Sequence, residues 1–298
     1  MKPCVSVIIP TYNRCTILSR SIQSVFNQSF TDFECIVVDD GSNDHTAVLI
    51  DSFDDDRLIY FRHENNRGAS AARNTGIRNA KGDLIAFLDD DDEWLPTKLE
   101  KQIPLLQSLH QSYGLVYCWM DYYDDKENVI YEHHPKYKGY VFPQVLDAQR
   151  LGGCPTLLVR RDVFARVGFF DESLPRGNDG DFIRRVCQKY EVDYVPEVLV
   201  YVYSSHSIGQ ISDNNPKGIN NHIISQLVKL RKFEDVLERF PKERGNVFLS
   251  LAQSYRQLND LQNCLYYYFK AFGSYPFSRK YLLSFFYDLT LLIYSQFK

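Results

Sequence analysis

Residues 33–46 read FECIVVDDGSNDHT. FECIVV has the apolar and β-branched content of a buried strand, Asp39 and Asp40 end it, and Gly41 permits a tight turn into a helical pattern over 46–53. The same unit recurs on both sides. VSVII (5–9) precedes a helical pattern over 14–28, RLIYF (57–61) precedes another over 69–80, and DLIAFL (83–88) follows. Strands alternating with helices at short spacing predict a parallel α/β sheet with helices on both faces. Ligands of such sheets gather beyond the carboxyl ends of the strands. The residues standing there are TYN (11–13), DDGS (39–42) and DDDD (89–92).

From residue 114 the rhythm loosens. LVYCWMDYY (115–123), a polar stretch through EHHPKYKGY (132–140), and PTLLVRRDVFARVGFF (155–170) read as strands and short helices added to the same sheet. After about 215 strand signals stop. The expected organisation is an α/β domain over 1–214 and a helical appendage over 215–298, made of a hairpin at 245–278 and an apolar terminal helix. Phe248, Leu251, Ala252, Tyr255, Cys264, Tyr268, Ala271 and Pro276 follow the spacing of one 34-residue helical repeat, resembling a tetratricopeptide unit. One copy cannot bury its faces by stacking, so a hairpin packed on the α/β domain is the plainer expectation than a partner-binding array.

The terminal stretch YLLSFFYDLTLLIYSQFK (281–298) barely reaches the roughly 17 residues a membrane crossing needs, and polar residues interrupt it. It is expected either to dock on the hairpin or to lie on an anionic leaflet, flanked by Arg279, Lys280 and Lys298. Docking is the stronger expectation, because three basic residues attract a membrane weakly.

With 44% apolar and 24% charged residues, the whole chain should fold. A net charge of -4 lacks the basic field that nucleic acid demands, so no nucleic-acid partner is expected. The seven cysteines are odd in number, scattered and never spaced C-x-x-C, which argues against a disulfide framework or a zinc site. Reduced thiols and a five-residue apolar run at 5–9, too short for a signal peptide, point to a cytoplasmic protein.

The strongest chemical signal is FLDDDDEW (87–94), four carboxylates following directly on a strand. Crowded like charges destabilise the fold unless a cation is present, and oxygen ligands without nearby His or Cys suit Mg2+ or Mn2+ better than zinc. The plainer alternative is an acidic turn before a helix starting near Pro96, with Asp92 as its N-cap. DDGS could equally be a capped turn. Tyr12 offers a flat face on which a base could stack. In RGASAARNTGI (67–77), Gly68 opens a helix of small residues that can sit close to the sheet, and Arg73 could answer nearby carboxylates. No G-x-G-x-x-G is present, which disfavours a dinucleotide site.

Together and in this order, these segments resemble the family 2 glycosyltransferases over roughly residues 3–210. Their fold is the GT-A, or nucleotide-diphospho-sugar transferase, fold, a doubly wound mixed α/β sheet, followed here by a small α-helical C-terminal region. The family's PxYN-like strand end, DDGS turn, ARNxG helix and FLDxDD metal motif are matched at 10–13, 39–42, 72–76 and 87–92, with Asp90 in the variable slot. The resemblance implies a nucleotide site formed by Pro10, Thr11, Tyr12, Asp39, Asp40, Gly68, Asp89 and Asp90. Tyr12 would stack on the base, Asp40 hydrogen-bond it, Asp89 or Asp90 meet the ribose, and Asp91 ligate Mn2+ or Mg2+ at the diphosphate.

Residues 152–186 resemble the acceptor half of the family, with Asp179 as the general base. The usual pattern there is Glu-Asp-aromatic, whereas this chain has Asn178, Asp179 and Gly180. Asp181 competes for the role, but helix periodicity turns it about 200° from Asp179, so both cannot face the site. His206, in YSSHSIGQIS (203–212), matches a His that approaches the diphosphate or metal, and the loop at 204–215 would close over the donor. His133 and His134 are weaker candidates for acceptor contact.

The activity implied is inverting transfer, of hexosyltransferase type, from a nucleotide diphosphate sugar, preferentially a UDP-sugar, to a hydroxyl of a glycan or lipid-linked acceptor. Surface polysaccharide synthesis in the cytoplasm is the expected setting, with peripheral contact at the inner face of the membrane through the C-terminal helix as the alternative to its docking. Two rival classes are a metal-dependent nucleotidyltransferase, which would want a basic Gly-rich segment near the first strand, and a non-catalytic sugar-nucleotide-binding or interaction protein.

Overall fold

The structure is a computed structural model describing residues 2–124, 126–147, 150–203 and 215–296. The chain divides into two compact units: residues 1–145, 149–172 and 178–207, and residues 146–148, 173–177 and 208–298.

Nine strands of the first unit form one sheet among the described residues. They are β1 (Val5–Thr11), β2 (Phe33–Asp39), β3 (Leu58–Arg62), β4 (Leu84–Phe87), β5 (Glu93–Trp94), β6 (Tyr113–Tyr123), β7 (Val129–His133), β8 (Leu158–Arg160) and β9 (Glu191–Tyr203). The order is β3-β2-β1-β4-β8-β6-β9-β5, with β7 paired to β6. Strands β1 to β4 pair in parallel, β8 runs antiparallel between β4 and β6, and β6 and β9 are parallel. The sheet is therefore mixed.

Helices α1 (Cys15–Phe26), α2 (Thr46–Asp51), α3 (Ala69–Asn79), α4 (Lys98–Ser108), α5 (Phe142–Val145), α6 (Val163–Val167) and α7 (Asn178–Lys189) accompany it. Strand β1 is buried along its whole length, as a central strand covered on both faces must be. Its odd residues Val5, Val7 and Ile9 join one core with Leu18 and Ile22 of α1 and Leu99 and Ile103 of α4. Ile8 points to the other face. There a Cβ on Gly76 of α3 would lie 2.4 Å from Ile8 Cγ2, so α3 comes close to the sheet at Gly76. Gly68 opens α3 for another reason, a φ of 91° that disfavours a side chain although the space beside it is open.

Helix α4 starts at Lys98, with Thr97 as its N-cap residue. Asp92 lies before β5 and is buried, so its expected N-cap role is not realised. The chain first passes through a two-residue strand paired with β9.

The second unit is helical: α8 (Pro216–Lys232), α9 (Glu234–Leu237), α10 (Pro241–Gln257), α11 (Leu261–Ser274) and α12 (Arg279–Gln296). Phe248, Leu251, Ala252, Cys264, Tyr268 and Ala271, six of the repeat-spaced residues, share one core with Ile219, Ile223 and Tyr281. Helix α12 docks within this unit. The Tyr281 hydroxyl donates to the Lys242 carbonyl at 3.0 Å. Buried Asp288 accepts from the Tyr268 hydroxyl at 2.6 Å and ion-pairs with Arg256 at 2.8 Å.

Candidate active site

Parallel pairing aligns the ends of β1, β2 and β4, so the three polar segments meet at one sheet edge. The link is direct, since the Asp40 N–H donates to the Thr11 carbonyl at 2.8 Å. Pro10 and Thr11 lie in β1 itself, and Tyr12 beyond it is 41% exposed, unusual for an aromatic ring at the edge of so buried a strand. Asn13, at φ 53°, turns the chain and accepts from the Asn43 N–H at 2.7 Å, tying the first loop to the second.

Both carboxylates of the DDGS turn are buried and accept from protein donors. Asp39 accepts from the Ser42 N–H at 2.7 Å and the Tyr60 hydroxyl at 2.6 Å. Asp40 accepts from the Arg67 N–H at 3.0 Å, the Gly68 N–H at 2.6 Å and His63 Nδ1 at 2.6 Å. Asp40 thus anchors the turn that launches α3, and Gly68 takes part through its backbone. His63 was not legible as a partner from the sequence, although it stands one residue beyond β3 at the same edge.

Three arginines surround the acidic run. Arg14 Nη1 reaches Asp90 at 3.0 Å and Asp91 at 2.6 Å, while Arg73, itself buried, reaches Asp89 at 2.5 Å. Arg20 donates to the Asp91 carbonyl at 2.6 Å and lies 3.7 Å over the Tyr203 ring. Burial pushes Asp90 up to about 7, against the pull of Arg14. Asp92 is also raised, by burial and then by Asp91, Asp89 and Asp90. Burial and crowding thus hold Asp90 and Asp92 in a state that favours their protons, even with Arg14, Arg20 and Arg73 beside the run, and a cation there would favour the ionised carboxylates instead. Among the described residues no three His, Cys, Asp or Glu are placed to hold a metal by themselves. Asp89 and Asp91, carboxylates with no His or Cys among them, would suit a hard ion such as Mn2+ or Mg2+ held by one or two of them.

Asp179 lies in the first turn of α7. Asn178 donates to Ser70 Oγ at 2.8 Å, tying this helix start to α3, and the Gly180 N–H donates to Asp179 Oδ1 at 2.7 Å. Burial pulls the Arg73 guanidinium down, but Asp89, and more weakly Asp179, outweigh it and keep the cation protonated. Burial, then Asp92, Asp179 and Asp89, push the Tyr122 hydroxyl up to about 12. Asp179 therefore shares a field with the acidic run. Asp181 is turned into the protein, buried and ion-paired with Arg185 at 2.9 Å. His206 lies outside the described residues. His134 stands 2.7 Å from Asp121 and stacks on Trp119, with ring centroids 4.8 Å apart.

The glycosyl transferase family 2 profile matches residues 6–168, more than half of the 298-residue chain. An uncharacterized glycosyltransferase of Rickettsia typhi is 35% identical over 203 residues, covering 66% of this chain and 63% of that protein. The chain thus spans less than two thirds of that relative's length. An Escherichia coli protein named UDP-Glc:alpha-D-GlcNAc-diphosphoundecaprenol beta-1,3-glucosyltransferase is 43% identical over 102 residues, or 34% of this chain and 40% of its own. Among solved structures, a mannosyltransferase from Pyrobaculum calidifontis in complex with GDP-Man and Mn2+ superposes with a TM-score of 0.61 at 17% identity, over 98% of this chain and 81% of that one. That likeness places the present fold among GT-A structures. By its matched profile and the carboxylate-rich sheet edge that profile spans, this chain belongs to glycosyl transferase family 2.

Proposed function

We propose that the protein transfers a sugar from a nucleotide diphosphate donor to an acceptor hydroxyl with inversion at the anomeric carbon. The observation that carries the reading is Arg73, a buried cation ion-paired with Asp89 and also within the electrostatic reach of Asp179. Tyr12 presents the stacking face for the base, framed by Pro10 and Thr11. Asp39 and Asp40 hold the loop that frames it, and a base N–H reaching Asp40 would share its carboxylate with the His63, Arg67 and Gly68 donors. Asp89 or Asp90 would meet the ribose.

Asp91 would hold Mn2+ or Mg2+, which supplies charge neutralisation for a leaving diphosphate. The named E. coli relative and its UDP-Glc donor support a UDP-sugar donor, with uracil as the base, and a lipid-linked acceptor. Surface polysaccharide synthesis at the cytoplasmic face is part of the same proposal, supported by the lipid-linked acceptor in that relative's name. His206 is proposed to approach the diphosphate.

In the transfer step the acceptor oxygen bonds to the anomeric carbon as the bond to the diphosphate oxygen breaks. Asp179 takes the hydroxyl proton, and the nucleoside diphosphate leaves with the bonding pair. Asp181 is not available for that role while Arg185 holds it inward. A donor screen that measures released nucleoside diphosphate, with and without Mn2+, tests the reading. One sugar nucleotide should be consumed in a metal-dependent manner. Release of pyrophosphate from a nucleoside triphosphate instead would favour a nucleotidyltransferase.

A further inference from the structure

The docking of α12 uses one side of that helix and leaves the other bare. Tyr281 and Asp288 face the unit's interior, whereas Leu282, Leu283, Phe286, Tyr287 and Leu291 recur at helical spacing on the outward side. Leu283 is 73% exposed, Phe286 63% and Tyr287 64%, and Phe277, just before the helix, is 92% exposed. Isolated surface apolar residues are ordinary, but a contiguous stripe of large ones marks an interaction surface. Among the described residues no helix is long and apolar enough to cross a membrane.

Charge decides the occupant. Residues 261–298 carry four basic side chains, Lys270, Arg279, Lys280 and Lys298, against the single acid Asp288, on a chain whose overall charge is -4. Asp288 is buried and already paired with Arg256, so the described charges exposed on α11 and α12 are all basic. A second copy on this face would bring like charges together across a two-fold axis, because such an interface uses the same patch twice. An anionic surface would be attracted, and rings of Phe and Tyr beside basic residues suit the boundary between headgroups and acyl chains.

We propose that the outward face of α12, with Phe277, seats the protein on an anionic lipid bilayer without spanning it. Docking and membrane contact are then two faces of one helix. The apolar stripe enters the acyl boundary, while Arg279 and Lys280 meet acidic headgroups.

The test is co-sedimentation of the full chain with phosphatidylglycerol–phosphatidylcholine vesicles, compared with phosphatidylcholine alone and repeated at raised salt. The expected result is binding to the anionic vesicles that salt weakens. Leu283→Ser with Phe286→Ser should reduce that binding by about tenfold or more, at an unchanged melting temperature, since both side chains are exposed. Arg279→Glu with Lys280→Glu should abolish the preference for anionic lipid. The proposal is overturned if wild-type protein stays in solution with anionic vesicles, or if the double serine variant binds as wild type does. It is equally overturned if light scattering shows a vesicle-indifferent dimer that the serine variant dissociates, since the occupant would then be a second copy. Vesicle binding is read without sugar transfer, so its failure leaves the proposed activity standing, and the reverse.

Discussion

Asp179 and Arg14 are the residues on which the proposed chemistry turns. Asp179→Asn retains the shape of the α7 start and its acceptor for the Gly180 N–H but removes the proton acceptor. Turnover should fall by roughly 10²-fold or more while donor binding, read by thermal shift, stays near wild type. Wild-type turnover in that variant would remove Asp179 from the mechanism. Arg14 is the internal counter-ion of Asp90 and Asp91, so a divalent ion entering at Asp91 competes with it. Arg14→Gln should lower the melting temperature without metal and enlarge the stabilisation that Mn2+ produces. An unchanged Mn2+ response would separate Arg14 from the metal-binding carboxylates.

At the scale of elements, two contacts set how helices meet the sheet. Helix α3 approaches β1 so closely that a Cβ at Gly76 would overlap Ile8, whose β-branched side chain has little freedom to yield. Gly76→Ala should cost about 1–3 kcal/mol in chemical denaturation, the usual range for overpacking. Helix α4 opens with Lys98, fully buried, donating to Gln102 Oε1 at 2.7 Å and lying 3.9 Å over the Trp94 ring. Burial lowers this amine from 10.5 to about 8. That difference is worth about 3 kcal/mol at roughly 1.4 kcal/mol per tenfold change in proton affinity. Below pH 8 the amine is charged in both states and folding bears the whole desolvation cost. Between about 8 and 10.5 the folded state loses its proton first, so stability rises with pH. Lys98→Met should therefore stabilise the protein at pH 7 by about 1–3 kcal/mol and lose that advantage toward pH 10. A destabilised variant at pH 7 would mean that the Gln102 and Trp94 contacts outweigh desolvation.

At the scale of the whole molecule, two units carry separate cores, one around the sheet and one among the C-terminal helices. Asp288 is the polar keystone of the second, with Tyr268 and Arg256 both directed at it. Burial, and then Asp288, raise the Tyr268 hydroxyl well above its ordinary value, as expected of a phenol donating to a carboxylate. Asp288→Ala strands both partners and should destabilise the second unit by about 3 kcal/mol. Scanning calorimetry should show the loss, while sugar-nucleotide binding in the first unit should persist. A variant that melts like wild type would reduce this network to packing.

The sequence by itself determined the strand–helix rhythm through 88, the meeting of TYN, DDGS and DDDD at one edge, the family, and the helical nature of everything after 215. These are properties of period and order, which act between residues close in the chain. Tertiary structure alone decided which charges meet. Arg14 and Asp91 are 77 residues apart, and His63 and Asp40 are 23 apart, so neither pairing has a local signature. Burial of Asp92 rather than capping came from the short β5–β9 pairing, which no period announces. The two readings of the terminal helix looked exclusive in one dimension because a sequence does not say which side of a helix its neighbours occupy. Packing covered the Tyr281–Asp288 side and left the Leu283–Phe286 side exposed, a division that only the surrounding helices could make.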